Sequence, residues 1–432
     1  MMPVCWGLCI ISSRDSRNEV FDIQTGGRYD EDKGRNFDSW GHSMRAIING
    51  RVLVPDEAGD FVVQEDSAVI YGENIRKIIS MKEYRRRTEQ IPVYDADGCY
   101  VSPGFINIHI HGCGGADTMD DTAGALMTMS RRQAETGVTA FLPTTMTYDF
   151  PTIYRALYRI RSAMQKPQPG AVILGCNMEG PFISKSRKGA QAAENIVRAD
   201  FAKIAAYTDI IRIITIAPEE LAGDYSFVDQ CRAHGILVSA GHSSADYDTA
   251  FAAITQHGIA HITHLFNGMP PLHHRQPGLA GAALDTEACC EVIADNVHIH
   301  PAAQRLIWHA KQGRNIILIT DSLRACMLGE GESELGGQKV FVKGQVARLA
   351  DGTIAGSVLT MDRAIANFAA NAGLRIEQAV ELVTKVPAAE LGVSQYLGAI
   401  APNMRADMTV FDDHLQIMAT MVRGECVYQQ KR

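Results

Sequence analysis

Apolar runs and helix-spaced stretches alternate through most of this chain. Eight runs read as strands: GFINIHIH, VTAFLPTT, AVILGCNMEG, IRIITIAPE, ILVSAGHS, AHITHLFNG, CCEVIAD and IILITDS. Between most of them lie segments such as TAGALMTMSRRQAETG, PTIYRALYRIRSAM, DYDTAFAAITQHG and HPAAQRLIWHAKQG, whose apolar residues recur at helical spacing. Strand and helix in alternation predict a parallel sheet, and eight such units predict a (β/α)8 barrel of the TIM type, here over residues 99–396.

The ends of the chain follow a different period. From Met44 to about Asp95, and again over the last 30 or so residues, apolar and polar positions alternate every second residue, punctuated by Gly and Asn-Gly. This predicts one small β-sandwich domain assembled from residues 44–98 and 397–432. Residues 12–43 are polar and aperiodic, and residues 1–43 read as a flexible N-terminal extension.

Polar residues collect where the apolar runs stop. His109 and His111 end the first run, Thr144 and Thr145 the second, Glu179 the third, His242 the fifth, His264 the sixth and Asp321 the eighth; Asp295 closes the seventh, just before His298. In such barrels the C-terminal rim of the strands carries the chemistry and the strand interiors are packed core.

Composition narrows the class. With 46% hydrophobic and 21% charged residues the chain is globular rather than disordered. A net charge of −8, with the basic run Arg85-Arg86-Arg87 bracketed by Glu83 and Glu89, gives no footprint for a nucleic acid. The ten cysteines contain no C-x-x-C pair, which fits a reducing cytoplasm. No apolar run reaches the roughly 18 residues of a membrane span, and no secretory signal pattern is expected at the N-terminus.

Four histidines and two carboxylates on one rim are too many ionisable groups for an apolar interior unless they serve metal or proton chemistry. Imidazole with carboxylate suits a divalent metal, zinc or iron first, with manganese or cobalt accepted by the same donors. Glu179, His242 and His264 would hold such an ion and leave a position open for water. Asp321 is the candidate proton acceptor and donor, and His298 the candidate to polarise a carbonyl oxygen. These parts describe hydrolysis of an amide, imide or ester, or a deamination. AGHSSA around Ser243 lacks the G-x-S-x-G of a nucleophile elbow. His109 and His111, two apart on a strand, share a face; alone they are either metal ligands or strand-end polar residues.

At these residues the sequence resembles the N-acetylglucosamine-6-phosphate deacetylases of the metal-dependent amidohydrolase superfamily. The matching segments include PGFINIHIHGCGG, FLPTT, MEGPFI, KGAQ, SAGHSSA, THLFNGM, HHRQPGLAGAAL, HIHP, ITDS and GTIAGSVLTMD, and the likeness runs from about Arg51 to the C-terminus. It implies one or two divalent ions per chain. Glu179, His242 and His264 hold the first, and His109 and His111 hold a second that Glu179 bridges. It also implies Asp321 as the catalytic acid and base, and sugar-phosphate contacts from Ala190, Gln191, Asn267, Gly268, Arg275, His298, Ile354, Ala355 and Gly356. A homodimer is expected, in which Arg275 reaches the neighbouring subunit's site.

Two departures bear on the sugar: Gln191 stands where the family usually has histidine, and Asn296 where glycine is common. LHHRQPG also resembles the N-acetylgalactosamine-6-phosphate branch. No lysine ends any of the eight runs, which argues against the cyclic-amide enzymes that bridge two metals with a carboxylated lysine. A non-catalytic sugar-phosphate sensor would be expected to lose ligands or the base first, yet Glu179, His242, His264 and Asp321 are all present.

Overall fold

A computed structural model describes residues 19–21, 28–30, 35–37 and 43–431. Eight parallel barrel strands are present: β1 (Phe105–Ile110), β2 (Val138–Thr145), β3 (Cys176–Glu179), β4 (Ile211–Ile216), β5 (Leu237–Ala240), β6 (His261–Ile262), β7 (Cys289–Ile293) and β8 (Ile316–Ile319). Each pairs in parallel with the next from β1 to β8. The seam between β8 and β1 closes differently at its two ends. Near the rim Asp321 N–H donates to His109 O and His111 N–H to Ser322 O, both at 3.0 Å. At the other end Leu382 and Val383 lie between the strands, accepting from Leu318 N–H and Ile106 N–H.

The connecting helices form for local reasons. Asp149 caps helix Phe150–Met164 by accepting from Thr152 N–H, and a proline sits in its first turn where no amide donor is needed. Its buried residues, Ile153, Ala156, Leu157, Ile160 and Ala163, fall on one face at helical spacing and pack on the barrel. Asp246 and Gly258 start and stop helix Tyr247–His257 in the same manner. Among the described residues the link from β3 to β4 has no α-helix, only single 3-10 turns, because this stretch forms a wall of the barrel mouth.

Strands Arg45–Pro55, Phe61–Tyr71, Ile75–Ser80, Val93–Asp95, Tyr100–Pro103, Met408–Phe411, Ile417–Val422 and Glu425–Gln429 make the small β unit from both chain ends. Its hydrogen bonding runs through one continuous eight-stranded sheet. It buries Ile47, Val52, Val69, Val101, Met408, Val410 and Met421 in one cluster. Tyr100–Pro103 pairs with Arg45–Pro55 and Met408–Phe411, so the chain passes into the barrel at Gly104.

A further three-stranded antiparallel sheet, Gly331–Leu335, Gln338–Lys343 and Val346–Leu349, follows β8 and was not anticipated from the sequence. Its buried Leu335, Val340, Val342, Ala347 and Leu349 pack with Met146, Leu323 and Ala355 beside the mouth. Within the expected N-terminal extension, Glu19–Phe21, Arg28–Asp30 and Arg35–Phe37 pair as antiparallel strands; the rest of residues 1–42 lies outside the described residues. No helix among the described residues is long and apolar enough to cross a membrane.

Candidate metal centre

The rim residues converge. His109 lies on β1 and His111 just beyond it, with their rings 5.4 Å apart, while Glu179 is the last residue of β3. His242, His264 and Asp321 each stand two residues past the end of their strand. Each also has a left-handed backbone, with φ of 46°, 30° and 46°. Non-glycine residues pay for that conformation, by about 1–3 kcal/mol each, and it persists where the surroundings demand it. Here it accompanies three chains that leave the sheet and turn their side chains into the mouth.

Glu179 is the hub. Its Oε1 lies 3.0 Å from His242 Nε2 and 2.9 Å from His264 Nε2. Its Oε2 lies 3.2 Å from His111 Nε2, and Asp321 Oδ1 is also 3.2 Å from that nitrogen. His109 Nε2 stands 3.7 Å from Glu179 and 3.5 Å from Asp321 and, though buried, has no hydrogen-bond partner. Glu179 thus belongs to two overlapping groups able to hold a metal ion, with His109 and His111 and with His242 and His264.

The outer nitrogens decide how the rings present themselves. Nδ1 of His109 lies 2.8 Å from Glu291 Oε2, that of His111 3.3 Å from Thr144 O, that of His242 2.8 Å from Arg187 O and that of His264 3.2 Å from Asn267 O. Each acceptor draws the ring proton to Nδ1 and leaves the Nε2 lone pair aimed inward, the arrangement metal-binding imidazoles use. Gly268, with φ of +60°, lets the chain pass so close that an added Cβ would lie 2.9 Å from His242 Nδ1. The donor set fits a divalent ion.

The clustered carboxylates and imidazoles also shift one another's protonation. Burial alone would raise the Glu179 pKa, but His242, His111 and His264 outweigh it and hold this carboxyl well below the usual range. Burial opposes protonation of His111, yet hydrogen bonds to Asp321 and Glu179 lift it well above an ordinary imidazole. Glu179 raises His242 against the same penalty. Asp321 is lowered in spite of its burial, first by His111 and then by His109.

A cleft of about 290 Å³ opens over these groups, lined by His111, Glu179, His242, His264 and Asp321. Its walls include the expected Ala190, Gln191, Asn267, Gly268, His298, Ile354 and Gly356. Two residues of the expected set lie outside this lining. Ala355 is fully buried in the apolar cluster under the hairpin, so its methyl faces away from the cleft. Arg275 lies on an exposed loop lining a different depression with Ser244, Tyr247 and Leu272, its guanidinium 2.8 Å from His274 Nε2. Gln191 reaches the cleft with its amide already engaged, donating to Glu179 Oε2 at 2.6 Å and accepting from Thr147 N–H at 2.7 Å.

Residues 100–428 match the model of the amidohydrolase family. The chain belongs to that family. It is 37% identical to the N-acetylglucosamine-6-phosphate deacetylase of Bacillus subtilis (strain 168), over 76% of this chain and 85% of the relative. It is 36% identical to the N-acetylgalactosamine-6-phosphate deacetylase of Escherichia coli O157:H7, over 78% and 90%. A mutant N-acetyl-D-glucosamine-6-phosphate deacetylase from Mycobacterium smegmatis, solved in complex with N-acetyl-D-glucosamine-6-phosphate, superposes with a TM-score of 0.79 at 28% identity, covering 89% of this chain and 99% of that one.

This amidohydrolase also has site residues that sequence reasoning passed over. Asp295, noted only as a strand end, accepts from His298 Nδ1–H at 2.7 Å and from His298 N–H at 2.8 Å, which turns His298 Nε2 toward the cleft. Met146, Leu335 and Thr353 complete the wall. Glu291, in the middle of β7, is fully buried and holds His109. The signal for it was a carboxylate in the interior of the apolar run CCEVIAD, away from the Asp295 that closes it, since a buried charge requires partners.

Proposed function

We propose that this amidohydrolase removes the acetyl group of N-acetylglucosamine 6-phosphate, giving acetate and glucosamine 6-phosphate. The observation that carries the reading is the ring of four imidazoles, each with Nδ1 engaged and Nε2 turned toward Glu179 or Asp321. Its relatives include deacetylases named for that sugar phosphate, one of them solved with it bound.

Glu179, His242 and His264 would hold the principal divalent ion, zinc or iron by donor type, with manganese or cobalt as alternatives. His109 and His111, with Glu179, would hold a second. A bound ion supplies Lewis acidity toward the acetyl carbonyl and a more acidic water.

Asp321 lines the cleft as a carboxylate beside His111, placed to take the proton of the attacking water. As the water oxygen bonds to the acetyl carbon and the C–N bond breaks, Asp321 returns that proton to the leaving nitrogen. His298, oriented by Asp295, offers Nε2 to the acetyl carbonyl oxygen or to the sugar phosphate. Asn267, Gly268, Ala190, Ile354 and Gly356 wall the sugar phosphate, and the Gln338 side chain fixes the Ala190 carbonyl at 2.5 Å.

Arg275 completes the phosphate site from a second copy, because in its own chain it lines a separate depression. A guanidinium binds phosphate through two parallel hydrogen bonds. The working assembly is therefore a homodimer, in the cytoplasm. The galactosamine 6-phosphate epimer is the weaker reading, and a non-catalytic sensor weaker still. Acetate release from both epimers, phosphorylated and free, tests all three.

A further inference from the structure

The barrel interior carries a line of charged groups that the deacetylation above does not use. Glu291 Oε2 lies 2.8 Å from His109 Nδ1 and accepts from the backbone N–H of His264 at 3.2 Å. Glu291 Oε1 lies 3.2 Å from His261 Nε2, and His261 Nδ1 lies 2.8 Å from Glu390 Oε1. His109, Glu291 and His261 are fully buried, while the Glu390 side chain is 21% exposed. His109 belongs to the rim, His261 opens β6 at the opposite end, and Glu390 ends helix Lys385–Glu390. The line therefore runs from the metal centre through the barrel to its far face.

A bare carboxylate at the position of Glu291 would be prohibitive, so the charge must be answered on both sides. His261 answers it from below. Burial disfavours the imidazolium, but Cys289, Glu291 and Glu390 outweigh burial and hold His261 well above an ordinary imidazole. Both of its nitrogens then donate, one to each carboxylate. That leaves Glu291 Oε2 to face the Nδ1 of His109 and the backbone N–H of His264. The same carboxylate steadies the left-handed backbone of His264, a ligand of the other ion position.

We infer that Glu291 is a positioning residue that sets the metal affinity of the His109 and His111 position, and that His261 and Glu390 sustain it from the far side of the barrel. The inference rests on the metal centre proposed above. Partners of this kind beyond the ligands are worth about 10- to 100-fold in metal affinity.

Zinc titration of the metal-stripped full-length protein, read as ions per chain and as dissociation constants, tests this without substrate. His109→Ala marks which binding event belongs to His109. Glu291→Gln keeps the shape and loses the charge; it should weaken that event by about 10- to 100-fold and the other by less. Excess zinc should restore wild-type content. Glu390→Gln, nearer the surface and isosteric, should shift the same event in the same direction by a smaller factor. A structural role alone would lower the thermal midpoint of the stripped protein and leave zinc affinity unchanged.

Wild-type zinc affinity in folded Glu291→Gln overturns the inference. Should that variant not fold, unchanged affinity in Glu390→Gln overturns it instead. A wild type that takes up no zinc overturns the metal centre and the inference with it.

Discussion

The Nε2 atoms of His242 and His264 face each other at 3.2 Å, with their rings at 89°. Each ring has Nδ1 against a backbone carbonyl, so two lone pairs and Glu179 Oε1 converge on one point. That point requires a proton or a cation. Replacing either histidine with alanine should lower the metal bound per chain by one and reduce turnover to background, as checked by elemental analysis beside an acetate assay.

His109 and His111 form a group of their own with Glu179: His111 Nε2 meets Oε2 and Asp321 Oδ1, each at 3.2 Å, and His109 Nε2 stands 3.7 Å from Oε1, the oxygen that also faces His242 and His264. The double variant His109→Ala with His111→Ala should drop metal content toward one ion per chain and keep part of the activity. Loss of all metal would mean that this pair, and not His242 with His264, holds the principal ion.

Asp321→Asn preserves size and removes the proton acceptor. Metal content should stay at the wild-type level while kcat falls by about 10²- to 10⁴-fold, the range general acid and base catalysis contributes. Near-normal turnover would remove Asp321 from the mechanism.

Acid should empty the centre. His111 and His242 hold protons more tightly than free imidazole, His111 through Asp321 and Glu179 and His242 through Glu179, despite burial in each case. Those protons must leave before Nε2 binds a metal, so apparent affinity rises with pH through the raised pKa range and falls below it. Dialysis against a chelator should therefore strip metal faster at about pH 5.5 than at about pH 8, with the affinity change located above the ordinary imidazole pKa of about 6.5.

Arg275 tests the assembly. Its lost hydrogen bonds to phosphate are worth about 1.5–3 kcal/mol, so Arg275→Ala should raise KM for the sugar phosphate by about 10- to 100-fold and spare kcat. Light scattering should give a dimer for wild type and variant. A monomeric wild type with full activity would show that the arginine has no part in the site.

The strand ends were legible because a parallel barrel confines chemistry to one rim, so Glu179, His242, His264 and Asp321 could be read from where apolar runs stop. Glu291 escaped because it sits mid-strand, where apolar neighbours mark core and only its partners, His109 and His261, give it meaning. Those partners are 182 and 30 residues away in sequence. The Gly331–Leu349 sheet escaped because its outer face mixes Glu332 and Lys339, which pair across it, with the exposed Phe341, so the inward Val340 and Val342 do not stand out in sequence. Gln191 was legible as a departure, but its grip on Glu179 depends on Thr147 and the path of the β3 to β4 link, which pattern alone does not specify. Ile354, Ala355 and Gly356 read as one unit in sequence, and only the turn they make shows that Ile354 and Gly356 line the cleft while Ala355 is buried beside it.

The most direct test is acetate release by zinc-loaded wild-type protein offered N-acetylglucosamine 6-phosphate, its galactosamine epimer and the two unphosphorylated sugars. The account predicts stoichiometric acetate and glucosamine 6-phosphate from the first, slower release from the second and little from the free sugars. Binding of the first with no acetate released, in protein shown to carry its metal, would contradict it.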